Sequence, residues 1–183
     1  MLTTTAAAFG GALAVANPEN AGTAVGLGTI ASFGVGGVLV PSATVALIVV
    51  PDALLATTAA LSLSIRTIGG SIGFTIYYNI FVNKLTKALP EFVGEYAVEA
   101  GLPLSDATEF VTTFLTDPAS IASAPGYSPA VAHGAVMGSR WAYAYALKYV
   151  WYTSIPFGVL ALISCAFLPS IRKYQTNRVA VAL

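Results

Sequence analysis

NAGTAVGLGTIASFGVGGVLVPSATVALIVVP, running from Asn20 to Pro51, is 32 residues long and contains no Asp, Glu, Lys or Arg. A helix needs about 20 mainly apolar residues to cross the hydrocarbon core of a bilayer. Working outward, only Arg66 interrupts the uncharged stretch between Asp52 and Lys84. Tyr149 to Ile171 adds 23 uncharged residues, and Met1 to Pro18 adds 18. Four spans are expected, at about 2–17, 24–49, 55–82 and 149–169, with the first the shortest. The whole chain agrees: 56% of its 183 residues are hydrophobic and 9% are charged, with a mean hydropathy of +0.78. A domain dissolved in water carries roughly 25% charged residues. The expected fold is all-α, a polytopic transmembrane helix bundle with the lipid bilayer as its main solvent.

The N-terminus does not read as a secretory leader, because Met1-Leu2-Thr3-Thr4-Thr5 lacks a basic n-region. After the last span, the tail 170–183 carries Arg172, Lys173 and Arg178 and no acidic residue. Basic residues near a span end favour the cytoplasmic side, so the C-terminus is expected there. The segment 83–148 is then an extracytoplasmic loop with short helices. It holds Glu91, Glu95, Glu99, Asp106, Glu109 and Asp117 against Lys84, Lys87, Arg140 and Lys148. Within it, Asp106 with Glu109 has the spacing of a capping box. Ser128-Pro129 is an N-cap and N1 pair, from which a helix can run unbroken into the last span. Trp141, Tyr143, Tyr145, Tyr149, Trp151 and Tyr152 crowd the outer entry to that span, and Tyr174 its inner exit. Amphipathic rings favour the headgroup layer.

Net charge is zero, so nothing points to nucleic acid. One histidine (His133), one cysteine (Cys165) and scattered carboxylates suggest neither a metal site, nor a catalytic constellation, nor a cofactor. The sharpest feature is Arg66, which lies 14 residues after Asp52 and 18 before Lys84. A guanidinium placed centrally in a lone helix costs roughly 2.5–3.5 kcal/mol. Such a residue usually faces a bundle interior or aqueous cavity, which makes Arg66 a candidate cavity-lining or conformational charge. Snorkelling to the surface is the plainer alternative. Beyond it, Gly69, Gly70 and Gly73 form a small face suited to close helix packing or to a rocking interface. Gly26, Gly28, Gly34, Gly36 and Gly37 add small surface on the preceding span. Tyr77 and Asn79 are substrate-contact candidates, and Asp52 is expected to cap the third span.

These residues also carry a resemblance. Val50-Pro51-Asp52, Ser64-Ile65-Arg66-Thr67-Ile68-Gly69-Gly70-Ser71-Ile72-Gly73 and Ile76-Tyr77-Tyr78-Asn79-Ile80-Phe81 resemble the penultimate span of fungal trichothecene-efflux-pump-like transporters. Ala142-Tyr143-Ala144-Tyr145-Ala146, Tyr152-Thr153-Ser154-Ile155-Pro156-Phe157-Gly158 and Asn177-Arg178-Val179-Ala180-Val181 look like their last span and tail. The resemblance implies the last four spans of a fourteen-span major facilitator fold, hence a partial fold whose N-terminal helices are missing here. It also implies export of small organic molecules, including toxins and drugs, by proton antiport at the plasma membrane. Related members carry siderophores. Alternating access needs two halves rocking about a midplane site, so four spans are not expected to transport alone. The rival readings are a four-span membrane organiser, against which the cysteine-free loop counts, and an accessory subunit. The chain is expected to stay in the membrane pellet through alkaline carbonate extraction, and recovery in the supernatant would remove the premise of a lipid-solvated bundle.

Overall fold

The computed structural model describes residues 2–167, and all regular structure among them is helical. The expectations for the tail, with Arg172, Lys173, Tyr174 and Arg178, and for the last residues of the final span lie outside the described residues. Helix α1 covers Leu2–Ala12 and tightens into a 3₁₀ turn over Leu13–Val15. Asn17 is extended (φ −135°, ψ 166°), as the residue before a proline must be. A second 3₁₀ turn, Pro18–Asn20, leads into α2, Ala21–Ile48. Then come α3, Leu55–Glu99; α4, Ala107–Thr116; a 3₁₀ stretch, Pro118–Ser123; and α5, Pro129–Ala166.

Three of these helices are long and apolar enough to cross a membrane, and a fourth apolar helix, Thr3–Val15, is shorter than that. The polytopic bundle is therefore seen with three full-length spans among the described residues rather than four. Within α2, Pro41 removes the N–H that the Gly37 carbonyl would otherwise receive. Nearby hydroxyls supply local donors: Ser42 Oγ donates to the Leu39 carbonyl at 2.9 Å and Thr44 Oγ1 to that of Val40 at 3.3 Å. Thr29, Ser64, Thr67 and Thr75 likewise donate to the carbonyl four residues back. Hydroxyls satisfied on their own helix can face lipid at little cost.

The largest departure from the sequence reading is at 83–148. Helix α3 does not stop at 82. It continues through Pro90 to Glu99, 45 residues in all, or about 67 Å at 1.5 Å per residue. Falling hydropathy was the boundary signal, but Lys84, Lys87, Glu91 and Glu95 solvate a helix without ending it. What ends it is Gly101, at φ +106°. Leu102 N–H donates to the Ala97 carbonyl (3.0 Å) and Gly101 N–H to that of Val98 (2.9 Å), a Schellman closure. Helix α5 begins where Ser128-Pro129 places it, with Ser128 Oγ accepting from the N–H groups of Ala130 (3.2 Å) and Val131 (3.5 Å). It runs unbroken for 38 residues. The capping box at Asp106 is not made. Helix α4 starts there, but Asp106 Oδ1 accepts from Ser105 Oγ at 2.9 Å instead.

The expected loop is thus mostly a helical hairpin with its own core. Phe110 and Val111 of α4 pack with Val93, Ala97, Leu102, Ala124, Val131 and Ala135. Antiparallel α3 and α5 meet along Gly134, Gly138, Ala142 and Ala146, all buried. A Cβ placed on Gly134 would lie 2.6 Å from the Tyr96 carbonyl oxygen, and one on Gly138 would collide with the Phe92 carbonyl. This is where small residues four apart let two backbones touch. Gly69, Gly70 and Gly73 do not serve that purpose here, since a Cβ on any of them meets nothing within 4 Å. Helix α1 packs on α2 and α5, with Gly11 against Ile155 and Gly158 against Ala7.

Gly138→Val should destabilise the hairpin at the upper end of the ~1–3 kcal/mol typical of overpacking. Thermal unfolding should come earlier and proteolysis between residues 101 and 128 faster. Gly69→Val should change neither, and equal effects of the two substitutions would contradict the assigned crossing.

Candidate functional site

Between α1, α2, α3 and α5 lies a cleft of about 900 Å³. Its shape follows from residue size. Ala6, Ala7 and Gly10 of α1 and Gly28, Ala31, Ser32 and Gly36 of α2 present almost no bulk. Gly28 and Gly36, expected to serve helix packing, instead leave open space, as a Cβ on either meets nothing within 4 Å. Rings form the opposite wall: Tyr77 from α3, and Trp151 and Phe157 from α5. Tyr77 and Phe157 meet edge to face at 6.0 Å between centroids, a favoured geometry for paired rings. Toward the hairpin, α3 and α5 are held together at backbone contact. Here the two helices meet through these rings.

The polar groups in the lining are few: Thr3, Ser32, Tyr77, Trp151 and Ser154. Ser154 Oγ already donates to the Trp151 carbonyl at 2.7 Å. No carboxylate, lysine, arginine or histidine is among the described lining residues. An apolar concavity of this volume with a few oriented polar groups suits a small, weakly polar organic molecule. Among the described residues, no group of three or more His, Cys, Asp or Glu gathers as a metal ligand set would.

Of the candidate site residues read from the sequence, Tyr77 is among the described lining of this cleft, together with Gly28 and Gly36 from the small surface of α2. Asn79 is exposed and its Nδ2 donates to the Thr75 carbonyl of its own helix at 2.7 Å. Arg66 is outside the cleft and exposed, and its Nη2 donates to the Leu39 carbonyl of α2 at 3.4 Å. That bond joins α3 to α2 beside the Pro41 interruption. Gly69, Gly70 and Gly73 lie on the same open stretch of α3. Asp52 does not hold the N-cap of α3; Leu54 does, without a side-chain bond. Asp52 opens the 3₁₀ turn Asp52–Leu54, where its backbone carbonyl accepts from Leu55 N–H. Pro51 fixes the extended entry (φ −58°, ψ 148°), and this moves the helix start two residues further on. Trp151, Ser154 and Phe157 were not singled out as site residues. The signal was present, because positions 151, 154, 158 and 161 fall on one helical stripe, but Trp151 also suits the headgroup layer.

No family model matches the chain, and no solved structure matches it. The chain is similar to the MFS-type transporter prx5 of Penicillium rubens, with 29% identity over 170 residues. The alignment covers 93% of this chain and 31% of the relative, so the chain spans about a third of that protein's length.

Gly28→Leu should leave thermal unfolding unchanged, since its Cβ has room, and should weaken binding of a neutral hydrophobic fluorophore read through Trp quenching. Undiminished binding would place the ligand site elsewhere.

Proposed function

We propose that this chain is the C-terminal segment of a major facilitator efflux transporter, and that the cleft walled by Tyr77, Trp151 and Phe157 is its contribution to the substrate path. The apolar cleft between spans carries this reading, supported by the similarity to an MFS-type transporter over nearly the whole chain. The substrate class that suits the lining is a small organic molecule held by ring contacts and one or two hydrogen bonds. No chemical step is part of the proposal, so the chain is read as a transporter and not as an enzyme.

Alternating access moves one bundle against another around such a site. Arg66 is the proposed conformational charge: a single bond to a backbone carbonyl is made in one arrangement of α2 and α3 and exchanged in the other. Gly69, Gly70 and Gly73 are the proposed rocking face, met by helices of the full transporter outside this segment. Export is proposed to run on proton antiport, with the coupling carboxylate on those same helices. The hairpin is assigned to the outside and the C-terminus to the cytoplasm of the plasma membrane.

The test is efflux by the full-length transporter containing this segment, in cells lacking their own pumps. Wild type should extrude neutral aromatic compounds, and a protonophore should abolish extrusion. Arg66→Ala should lower efflux at least about tenfold, equivalent to about 1.4 kcal/mol, with membrane abundance unchanged. Absence of efflux across the compound panel would sink the transport reading. Unchanged efflux in Arg66→Ala would make that arginine a bystander.

A further inference from the structure

Where α1 turns into α2, the Asn17 side chain sits between two smaller cavities of about 490 and 290 Å³. Its Oδ1 is buried and accepts no hydrogen bond from any described residue. The terminal torsion of asparagine is broad, so rotation of the amide alone turns this oxygen toward either cavity. The larger cavity is graded along its length. At the hairpin end are Asn17, Pro18 and the exposed Arg140; toward the span it is lined by Leu13, Ala24, Leu147 and Trp151. Among the described residues Arg140 makes no hydrogen bond or ion pair, leaving its fork available to an anion. On the other side of Asn17, Trp141, Tyr145, Tyr152 and Lys148 line the smaller cavity. Lys148 Nζ lies 5.8 Å from the centre of the Tyr152 ring, and Lys84 Nζ 4.1 Å from that of Tyr149. Amphipathic rings and cations gathered in this way favour the headgroup layer of a bilayer.

We propose that Asn17 and Arg140 form a headgroup site for a phospholipid bearing a primary ammonium, of the phosphatidylethanolamine type. Arg140 takes the phosphate, Asn17 Oδ1 accepts from the ammonium, and an acyl chain follows Leu13, Ala24, Leu147 and Trp151 into the bilayer. The chemistry selects the headgroup. A buried amide oxygen without a partner gains most from a charged N–H donor, and a choline trimethylammonium has no N–H to give. A glycerol headgroup supplies negative charge but no ammonium. The site stands whether or not the chain belongs to an exporter.

Trp141 and Trp151 are the chain's two tryptophans and line the two cavities, so brominated lipids report occupancy by quenching. The full chain is reconstituted in phosphatidylcholine bilayers and titrated with brominated phosphatidylethanolamine, phosphatidylcholine or phosphatidylglycerol. The ethanolamine lipid should quench at roughly one-tenth the mole fraction the choline lipid needs, the preference expected of one charge-assisted hydrogen bond. Asn17→Leu should erase that preference, Asn17→Asp should keep or raise it, and Arg140→Gln should weaken quenching by all three lipids. Equal quenching by ethanolamine and choline lipids overturns the proposal, as does phosphatidylglycerol matching phosphatidylethanolamine. If Asn17→Leu loses its helical circular dichroism, Asn17→Asp decides, because loss of the preference there also overturns it.

Discussion

Helix α3 and helix α5 touch backbone to backbone at Gly138 and Phe92, and the rest of the bundle is arranged around that contact. No side chain larger than hydrogen fits between them there or at Gly134 against Tyr96. One and two turns further on, Ala142 and Ala146 are fully buried. Rings then take over, from Phe81 with Tyr143 to Tyr77 with Phe157. The spacing between the helices is therefore written in residue size. The tight clasp belongs to the charge-bearing part of the chain, where Phe110 and its neighbours add an ordinary hydrophobic core, and the ring contacts to the apolar part. Lipid tails give apolar side chains no reason to collapse on one another. A gap between spans persists there only if something outside the hydrocarbon holds the helices in register.

That division of labour explains the position of the cleft. The α1–α5 contacts at Gly11 and Gly158 close it on one side, and the small faces of α1 and α2 leave it hollow on the other. Arg66 sits at the opposite end of α3 from the clasp, tied to α2 by one bond to a carbonyl. A helix clamped at one end and lightly held at the other is mechanically suited to pivot, which is the motion assigned to it above.

Much of this was legible in the residues. The charge-free runs located the helices of the apolar part, and Ser128-Pro129 located the start of α5. Arg66 stood out because a charge in an apolar helix needs an explanation. The 83–99 extension of α3 is not legible from hydropathy, which falls there while the helix continues. The two are separate: lipid solvation depends on charge, whereas helix termination depends on backbone breakers, and the decisive one is Gly101. The close contact at Gly134 and Gly138 was not singled out in the sequence for a related reason. Spacing shows that Gly69 and Gly73 share a face, as do Gly134 and Gly138, but it does not show which face meets a partner within this chain. Cleft membership depends on how the spans lean together, which the local sequence around Tyr77 does not specify, the clasp at Phe92 lying 15 residues further along α3.

The claim that α3 is one continuous helix, apolar through its first half and clasped in water through its second, can be tested directly. Spin labels would be placed one residue at a time from Leu55 to Glu99 and their accessibility to oxygen and to a polar nickel chelate measured in bilayers. The account predicts oxygen access up to the neighbourhood of Lys84 and chelate access beyond it. A period of about 3.6 residues should continue unbroken across that boundary, with protected positions at Ala88, Val93 and Ala97. Loss of the period between residues 83 and 99, or uniform chelate access there, would contradict it.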